Sequence, residues 1–144
     1  MGVPVAKLVL DARYSELPRL ERLIDGFPGL SERDRMRVRI AATELFDNIV
    51  AHARDSRSTR VSVRLLPGPP LRLELRYRSS NFAEFVAELA AARSIVPASA
   101  WAEAGRFEAY EGRYRGLGLI MCLAVASSLQ ARPGLFRHLV SVVF

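Results

Sequence analysis

Three polar residues recur every four positions near the middle of the 144-residue chain. Glu44, Asn48 and His52 lie in a stretch whose apolar residues repeat at helical spacing, so all three fall along one edge of a single helix. A carboxylate, an amide and an imidazole in register suit the rim of a cavity that holds a cation or a reactive water. The alternative is a solvated helix flank, with His52 stabilised near the negative C-terminal end of the helix.

A second feature is the run Gly116-Leu117-Gly118-Leu119, which lies between an irregular segment and a strongly apolar stretch. Glycines at such a junction let backbone N–H groups turn toward a ligand, and the N-terminus of the following helix favours phosphate. The alternative is a flexible start of a core helix. A run of this kind is weak evidence by itself, so it leaves both interpretations open.

Apolar spacing and turn residues predict the elements that must position these groups. The predicted elements are a strand over 5–10, helices over 15–26 and 31–53, a hairpin of strands over 60–66 and 71–77, helices over 82–92 and 117–130, and a last strand within 132–144; a further strand over 129–132 is an alternative for part of that region. Residues 93–115 lack a sustained period and predict a mobile loop. No repeat or linker divides the chain, so we expect one domain over residues 1–144.

Composition excludes several classes of protein. A single cysteine, Cys122, excludes a disulfide framework, and with two histidines beside it there are too few soft ligands for a zinc finger. The net charge is +6, but the arginines are scattered without a dense run, which argues against direct contact with nucleic acid. No signal peptide pattern is visible, and the apolar stretch over 117–129 is shorter than the roughly 20 residues that span a bilayer. We therefore expect a cytoplasmic protein without a membrane anchor.

Taken together, the two motifs resemble those of the GHKL ATPases. Glu44, Asn48 and His52 within TELFDNIVAHA resemble the N box of that family, and RGLGLIM resembles its second glycine box, in the family's order. The chain is most similar to the small anti-sigma-factor serine-protein kinases, whose domain has about this length. The resemblance covers most of the chain.

The resemblance implies an α/β fold of the Bergerat, or histidine-kinase-like ATPase, type. This is a two-layer α+β sandwich with helices on one face of a mixed, mostly antiparallel sheet. It implies that Glu44 is the catalytic residue, which orients or deprotonates a serine hydroxyl, and that Asn48 binds the Mg²⁺ that bridges the phosphates of ATP. The other implied nucleotide-binding positions are Ser79, Asn81, Arg115, Gly116, Leu117, Gly118 and Leu119.

The chain departs from the family at the first glycine box. Tyr77, Ser79 and Asn81 stand where the family has an aspartate and two glycines. In the family that aspartate accepts the amino hydrogen of adenine, so its absence predicts weaker ATP binding. A simpler interpretation is that Ser and Asn replace a strained glycine turn, since Asn81 tolerates a left-handed backbone.

Two functions follow from the resemblance. The first is a serine kinase that binds a sigma factor and uses Mg-ATP to phosphorylate a small anti-anti-sigma protein, as in partner switching. The alternative is a catalytically silent regulator that binds its partner on the same fold. The resemblance is compatible with a homodimer. Aromatic and arginine residues such as Trp101 and Arg106 also predict a partner contact over 92–115, on an acidic partner surface. The alternative is that these aromatic residues pack onto the core of the domain itself.

Overall fold

The computed structural model of the chain describes residues 4–52, 59–95 and 117–144, in which five strands and four helices form. In chain order they are β1 (Ala6–Asp11), α1 (Leu17–Gly26), α2 (Glu32–His52), β2 (Arg60–Leu66), β3 (Arg72–Tyr77), α3 (Phe82–Ile95), α4 (Leu117–Val125), β4 (Ser128–Arg132) and β5 (His138–Val143). A short 3-10 turn at Tyr14–Glu16 leads into α1. Most of the predicted elements are confirmed to within a few residues.

The five strands form one sheet in the order β1-β2-β3-β5-β4, and each neighbouring pair is antiparallel. The prediction of a mixed sheet is therefore wrong for the described strands. Hydrogen bonds join each of these strands to an antiparallel neighbour, and no two neighbouring strands among them are parallel. The register places apolar residues in rows on one face, and Leu8, Val63, Leu75 and Val140 form one such row.

The helices cover this apolar face of the sheet. All four helices share one core cluster with the inward strand residues, and Phe46 at the centre of α2 is fully buried in it. Successive side chains of a strand point to opposite faces, so the mainly polar residues that alternate with the apolar ones lie on the opposite face of the sheet. The predicted α+β arrangement in two layers is confirmed.

The ends of α1 and α2 are fixed by side chains. The Ser31 hydroxyl accepts a hydrogen bond of 3.1 Å from the backbone N–H of Asp34, which confirms the predicted cap at the start of α2. From the first turn of α2, the Arg35 guanidinium donates to the carbonyls of Asp25 (2.9 Å) and Phe27 (3.1 Å), at the end of α1. The two helices are thereby held at one junction.

The prediction of one helix over 117–130 is wrong for residues 126–130, and the alternative strand there is confirmed. The last helical hydrogen bond joins the Ala126 N–H to the Cys122 carbonyl (3.1 Å). The next amide, at Ser127, donates instead to Val143 at 2.7 Å. Leu129 is then buried in β4, so pairing with β5 and burial outweigh the local helical pattern.

The predicted irregular segment over 93–115 begins inside α3, which continues to Ile95. The Arg93 guanidinium donates to the carbonyl of Leu129 in β4, and the Ser94 hydroxyl donates to the carbonyl of Ala91 at 2.6 Å. These bonds extend the helix beyond its predicted end, so the loop prediction is wrong for 93–95. The rest of that segment lies outside the described residues, as does most of the predicted partner contact over 92–115.

Candidate functional site between α2 and α4

The helices α2 and α4 run antiparallel and are joined at successive turns. The Arg37 Nε donates to the Val125 carbonyl at 2.7 Å, where α4 ends. About one turn further along α2, the Ala41 carbonyl lies 3.7 Å from the Sγ of Cys122 and accepts its weak hydrogen bond. Increasing positions on α2 therefore meet decreasing positions on α4. This register brings the next turn of α2 to the start of α4.

Glu44 meets Gly118 at that point. A Cβ atom added to Gly118 would collide with the Oε2 atom of Glu44, so the carboxylate lies in the space that only a glycine leaves open. The residue from the first motif and a glycine from the second are thus brought together, although they are far apart in the chain. The partial positive charge at a helix N-terminus favours a carboxylate there.

Replacing Gly118 by alanine tests this contact. Alanine favours a helix over glycine by about 1 kcal/mol, but in the native chain the new methyl must push the Glu44 carboxylate aside. Gly118→Ala is therefore expected to be nearly neutral in the native chain and to stabilise a Glu44→Ala variant by up to about 1 kcal/mol.

Urea unfolding of the native protein, both single variants and the double variant measures this coupling. Additive effects would show that the carboxylate does not lie against Gly118, because independent sites add to within about 0.5 kcal/mol.

Cys122 lies beside the same carboxylate and is fully buried. Burial raises the pKa of its thiol well above the ordinary value of 9.0, and the negative charge of Glu44 raises it further. The thiol therefore stays protonated at neutral pH and does not act as a nucleophile. Cys122 is a core residue.

Asn48 and His52 continue the row along α2 but have different surroundings. Asn48 is half-buried one turn beyond Glu44, and within the described ranges its amide makes no hydrogen bond. His52, the last residue of α2, places Nε2 at 3.7 Å from Oε2 of Glu88 on α3. The three residues of the predicted row therefore do not share one set of neighbours, since Glu44 contacts α4 and His52 contacts α3.

The structure gives limited support for a metal centre. No group of three or more His, Cys, Asp or Glu side chains in the described part of the chain is placed to hold a metal ion. A metal at this site would depend on the single amide of Asn48 together with oxygens from its ligand.

Ser79 and Asn81, two of the predicted nucleotide-binding residues, bond to each other and to α2. The Ser79 hydroxyl donates to Oδ1 of Asn81, and the Asn81 Nδ2 donates to the carbonyl of His52 at 2.9 Å. Asn81 therefore ties the start of α3 to the end of α2. Asn81 does not adopt the left-handed backbone that asparagine tolerates, because no non-glycine residue in the described segments has a positive φ.

Tyr77, at the position of the missing aspartate, is only 3% exposed. Its ring meets those of Phe82 and His138 edge to face, with centroids 6.0 Å and 6.3 Å away. Phe82 stacks on His138 at 4.0 Å with nearly parallel rings, and Phe85 extends the cluster. Burial raises the pKa of the Tyr77 phenol well above its ordinary value. We call Tyr77, Phe82, Phe85 and His138 the aromatic cluster.

The remaining predicted site residues divide into two groups. Arg115 and Gly116 lie outside the described residues, and Leu117 is the first described residue of α4. Leu119 is 2% exposed and belongs to the core. Arg37 and His138 could not be identified from the sequence. Each acts through a contact with a distant segment of the chain, and no local pattern reveals such a contact.

No family model matches the chain, and no curated protein matches it. No helix in the residues that the structure describes has the length and hydrophobicity needed to cross a membrane.

Proposed function

We propose that the chain is a regulatory protein of the anti-sigma-factor type on a Bergerat fold, and that it acts by binding protein partners without transferring phosphate. The proposal that no phosphate is transferred rests on the aromatic cluster around Tyr77. The proposal of the protein type and fold rests on the resemblance of the two motifs to those of the GHKL ATPases.

The packing of α2 against α4 supports the family proposal. In the GHKL ATPases the N box and the second glycine box serve one nucleotide site, and here Glu44 and Gly118 are in contact. The helix that carries Glu44 and Asn48 also lies on the apolar face of an antiparallel sheet, as a two-layer sandwich requires.

The residues present do not fit ATP at the adenine end. Recognition of the adenine amino group needs a hydrogen-bond acceptor at the end of β3, and Tyr77 is instead packed among the rings of Phe82 and His138. At the phosphate end, the open side of Gly118 is filled by the Glu44 carboxylate. The proposed function therefore does not depend on ATP.

A regulator of this kind works by mass action. A protein that binds a sigma factor removes it from RNA polymerase, and a second partner that occupies an overlapping surface releases it. Neither step requires phosphoryl transfer. The partners that the resemblance implies, a sigma factor and a small anti-anti-sigma protein, suit this scheme.

The second candidate function is the serine kinase that uses Mg-ATP. It is favoured by the pairing of a carboxylate, Glu44, with an amide, Asn48, one turn apart beside the start of α4. In this case Glu44→Ala would abolish phosphorylation of the antagonist protein while nucleotide affinity stayed nearly intact.

Partner binding that is independent of nucleotide separates the two functions. We expect tagged protein purified from its native organism to carry a sigma factor or a small antagonist protein, identified by mass spectrometry. The dissociation constant of that partner should then agree within about twofold with and without Mg-ATP, a difference below about 0.5 kcal/mol.

Asn48→Ala is the matched variant, since it removes the implied magnesium ligand and should bind the partner equally well. A change of about tenfold or more on adding Mg-ATP, which corresponds to about 1.4 kcal/mol, would favour the kinase. Recovery of neither kind of partner would contradict the proposed function.

A further inference from the structure

A cavity of about 660 Å³ opens at one end of the sheet, where β2 begins, β3 ends and the turn between β4 and β5 folds back. This volume lies within the range of about 300 to 1,000 Å³ that is typical of small-molecule sites. None of Glu44, Asn48 and Gly118 lines the cavity, although Ser79, one of the implied nucleotide-binding residues, does. The cavity therefore lies apart from the contact between α2 and α4.

Three arginines from three separate segments line this cavity. Arg60 comes from β2, Arg78 follows β3, and Arg137 precedes β5. Among the described residues, none of their guanidinium groups makes an ion pair or a hydrogen bond, and no carboxylate lines the cavity. Guanidinium groups stay charged in proteins, so within the described segments their mutual repulsion is not offset by a carboxylate.

Two other arginines on the same sheet share one carboxylate. Arg64 and Arg76 lie 3.4 Å and 3.6 Å from Oε2 of Glu74, which is mostly buried between them. At the cavity, by contrast, three arginines come together with no carboxylate among the described lining residues. An anionic ligand would supply the counter-charge.

His138 holds two walls of the cavity together. Its Nε2 lies 3.0 Å from the Ser79 carbonyl, and its Nδ1 accepts from the Gly134 N–H at 3.4 Å. A neutral ring with its proton on Nε2 satisfies both bonds. The turn is also closed tightly, because a Cβ atom on Gly134 would collide with the Arg137 carbonyl oxygen. The cavity is therefore shaped before any ligand arrives, which lowers the entropic cost of binding.

We propose that this cavity binds a small molecule that carries two linked phosphate groups. Guanidinium groups match phosphate oxygens with paired hydrogen bonds, and two phosphates can engage all three arginines at once. Ser80 lines the same space, and its hydroxyl supplies a further donor. Phe136, 79% exposed on the rim, offers an apolar surface to the organic part of such a ligand.

Inorganic pyrophosphate is the probe, and backbone amide shifts in NMR spectra are the readout, at constant ionic strength. We expect saturable shifts at Ser79, Ser80 and Gly134. The double variant Arg78→Ala/Arg137→Ala should bind at least about tenfold more weakly, because two charge-assisted contacts are lost. The amide spectrum of each variant shows whether it is folded.

Arg72→Ala is the matched control. Arg72 is also an exposed arginine without an ion pair in the described part of the chain, but it begins β3, about 20 Å from its far end. Its replacement should leave the affinity for pyrophosphate unchanged within about twofold.

Three results would overturn the proposal. If Arg72→Ala weakened pyrophosphate binding as much as Arg78→Ala/Arg137→Ala does, the binding would reflect only general attraction of an anion to a basic protein. Shifts centred on Asn48 and Gly118 would place the anion between α2 and α4. Tighter binding of a glutamate-rich peptide than of pyrophosphate would assign the arginines to an acidic protein segment. A protein that does not bind pyrophosphate could still bind its protein partner with and without Mg-ATP as expected. This proposal can therefore be wrong while the proposed function is right, and the reverse.

Discussion

Replacing Tyr77 by aspartate is expected to destabilise the fold by about 3 to 5 kcal/mol and to leave ATP binding unrestored. The substitution reinstates the residue type of the resembled family. In this chain, however, the position is 3% exposed and packed against the rings of Phe82 and His138. The variant would lose a buried aromatic ring and would bury a carboxylate without a partner.

The size of this effect is large compared with the stability of a domain. A typical domain unfolds with a free energy of about 5 to 15 kcal/mol, so Tyr77→Asp should unfold at much lower denaturant concentration or be partly unfolded in water. The penalty should shrink as the pH falls. Burial raises the pKa of a carboxyl group, so below its unfolded value of about 3.9 the residue is neutral in both states.

Tyr77→Phe is the matched control because it keeps the ring and removes only the hydroxyl. We expect it to change the free energy of unfolding by less than about 1 kcal/mol, since the described residues offer the hydroxyl no hydrogen bond. Urea unfolding at pH 7 and pH 4 measures both variants. A stable Tyr77→Asp protein that binds ATP would show that the adenine pocket is present and needs only its acceptor.

Much of the fold could be predicted because local patterns and burial agree. The alternation in β2 and β3 and the apolar period of α2 are strong signals, and each element buries the face that the pattern indicates. The prediction failed at 126–130, at the end of an apolar stretch, where the local sequence suited either a helix or a strand. Hydrogen bonding to Val143 decides between them, and that contact is invisible in local sequence.

Part of the candidate site could also be predicted. Helical spacing placed Glu44, Asn48 and His52 along one flank, and the structure keeps them on α2. Their partners could not be predicted, because the contact with α4 depends on the register of two helices that are distant in the chain. The roles of Ser79 and Asn81 in joining α3 to α2 likewise arise only from the folded arrangement.

The second large effect is on nucleotide affinity. We expect Mg-ATP to bind with a dissociation constant in the high-micromolar range or weaker. Losing one charge-assisted hydrogen bond to adenine costs about 1.5 to 3 kcal/mol, which is roughly ten- to a hundredfold in affinity. Here the acceptor is missing and the aromatic cluster also fills its place, so the loss should lie at the upper end of that range.

The weak binding that remains should not distinguish adenine from guanine. With Tyr77 packed into the cluster, the position that reads the adenine amino group in the resembled family holds no carboxylate, whereas the ribose and phosphates are common to both nucleotides. The three arginines of the cavity at the end of the sheet are one place where phosphates can bind. The variant Arg78→Ala/Arg137→Ala, folded by its amide spectrum, removes that contribution from the measurement.

Calorimetric titration of Mg-ATP and Mg-GTP into the protein measures whether the chain has kept an adenine-specific site. We expect no saturable heat below about 100 µM, which corresponds to a binding free energy weaker than about −5.5 kcal/mol, and no preference for ATP over GTP. A low-micromolar dissociation constant for Mg-ATP, with GTP much weaker and with the affinity lost in Asn48→Ala, would contradict this expectation.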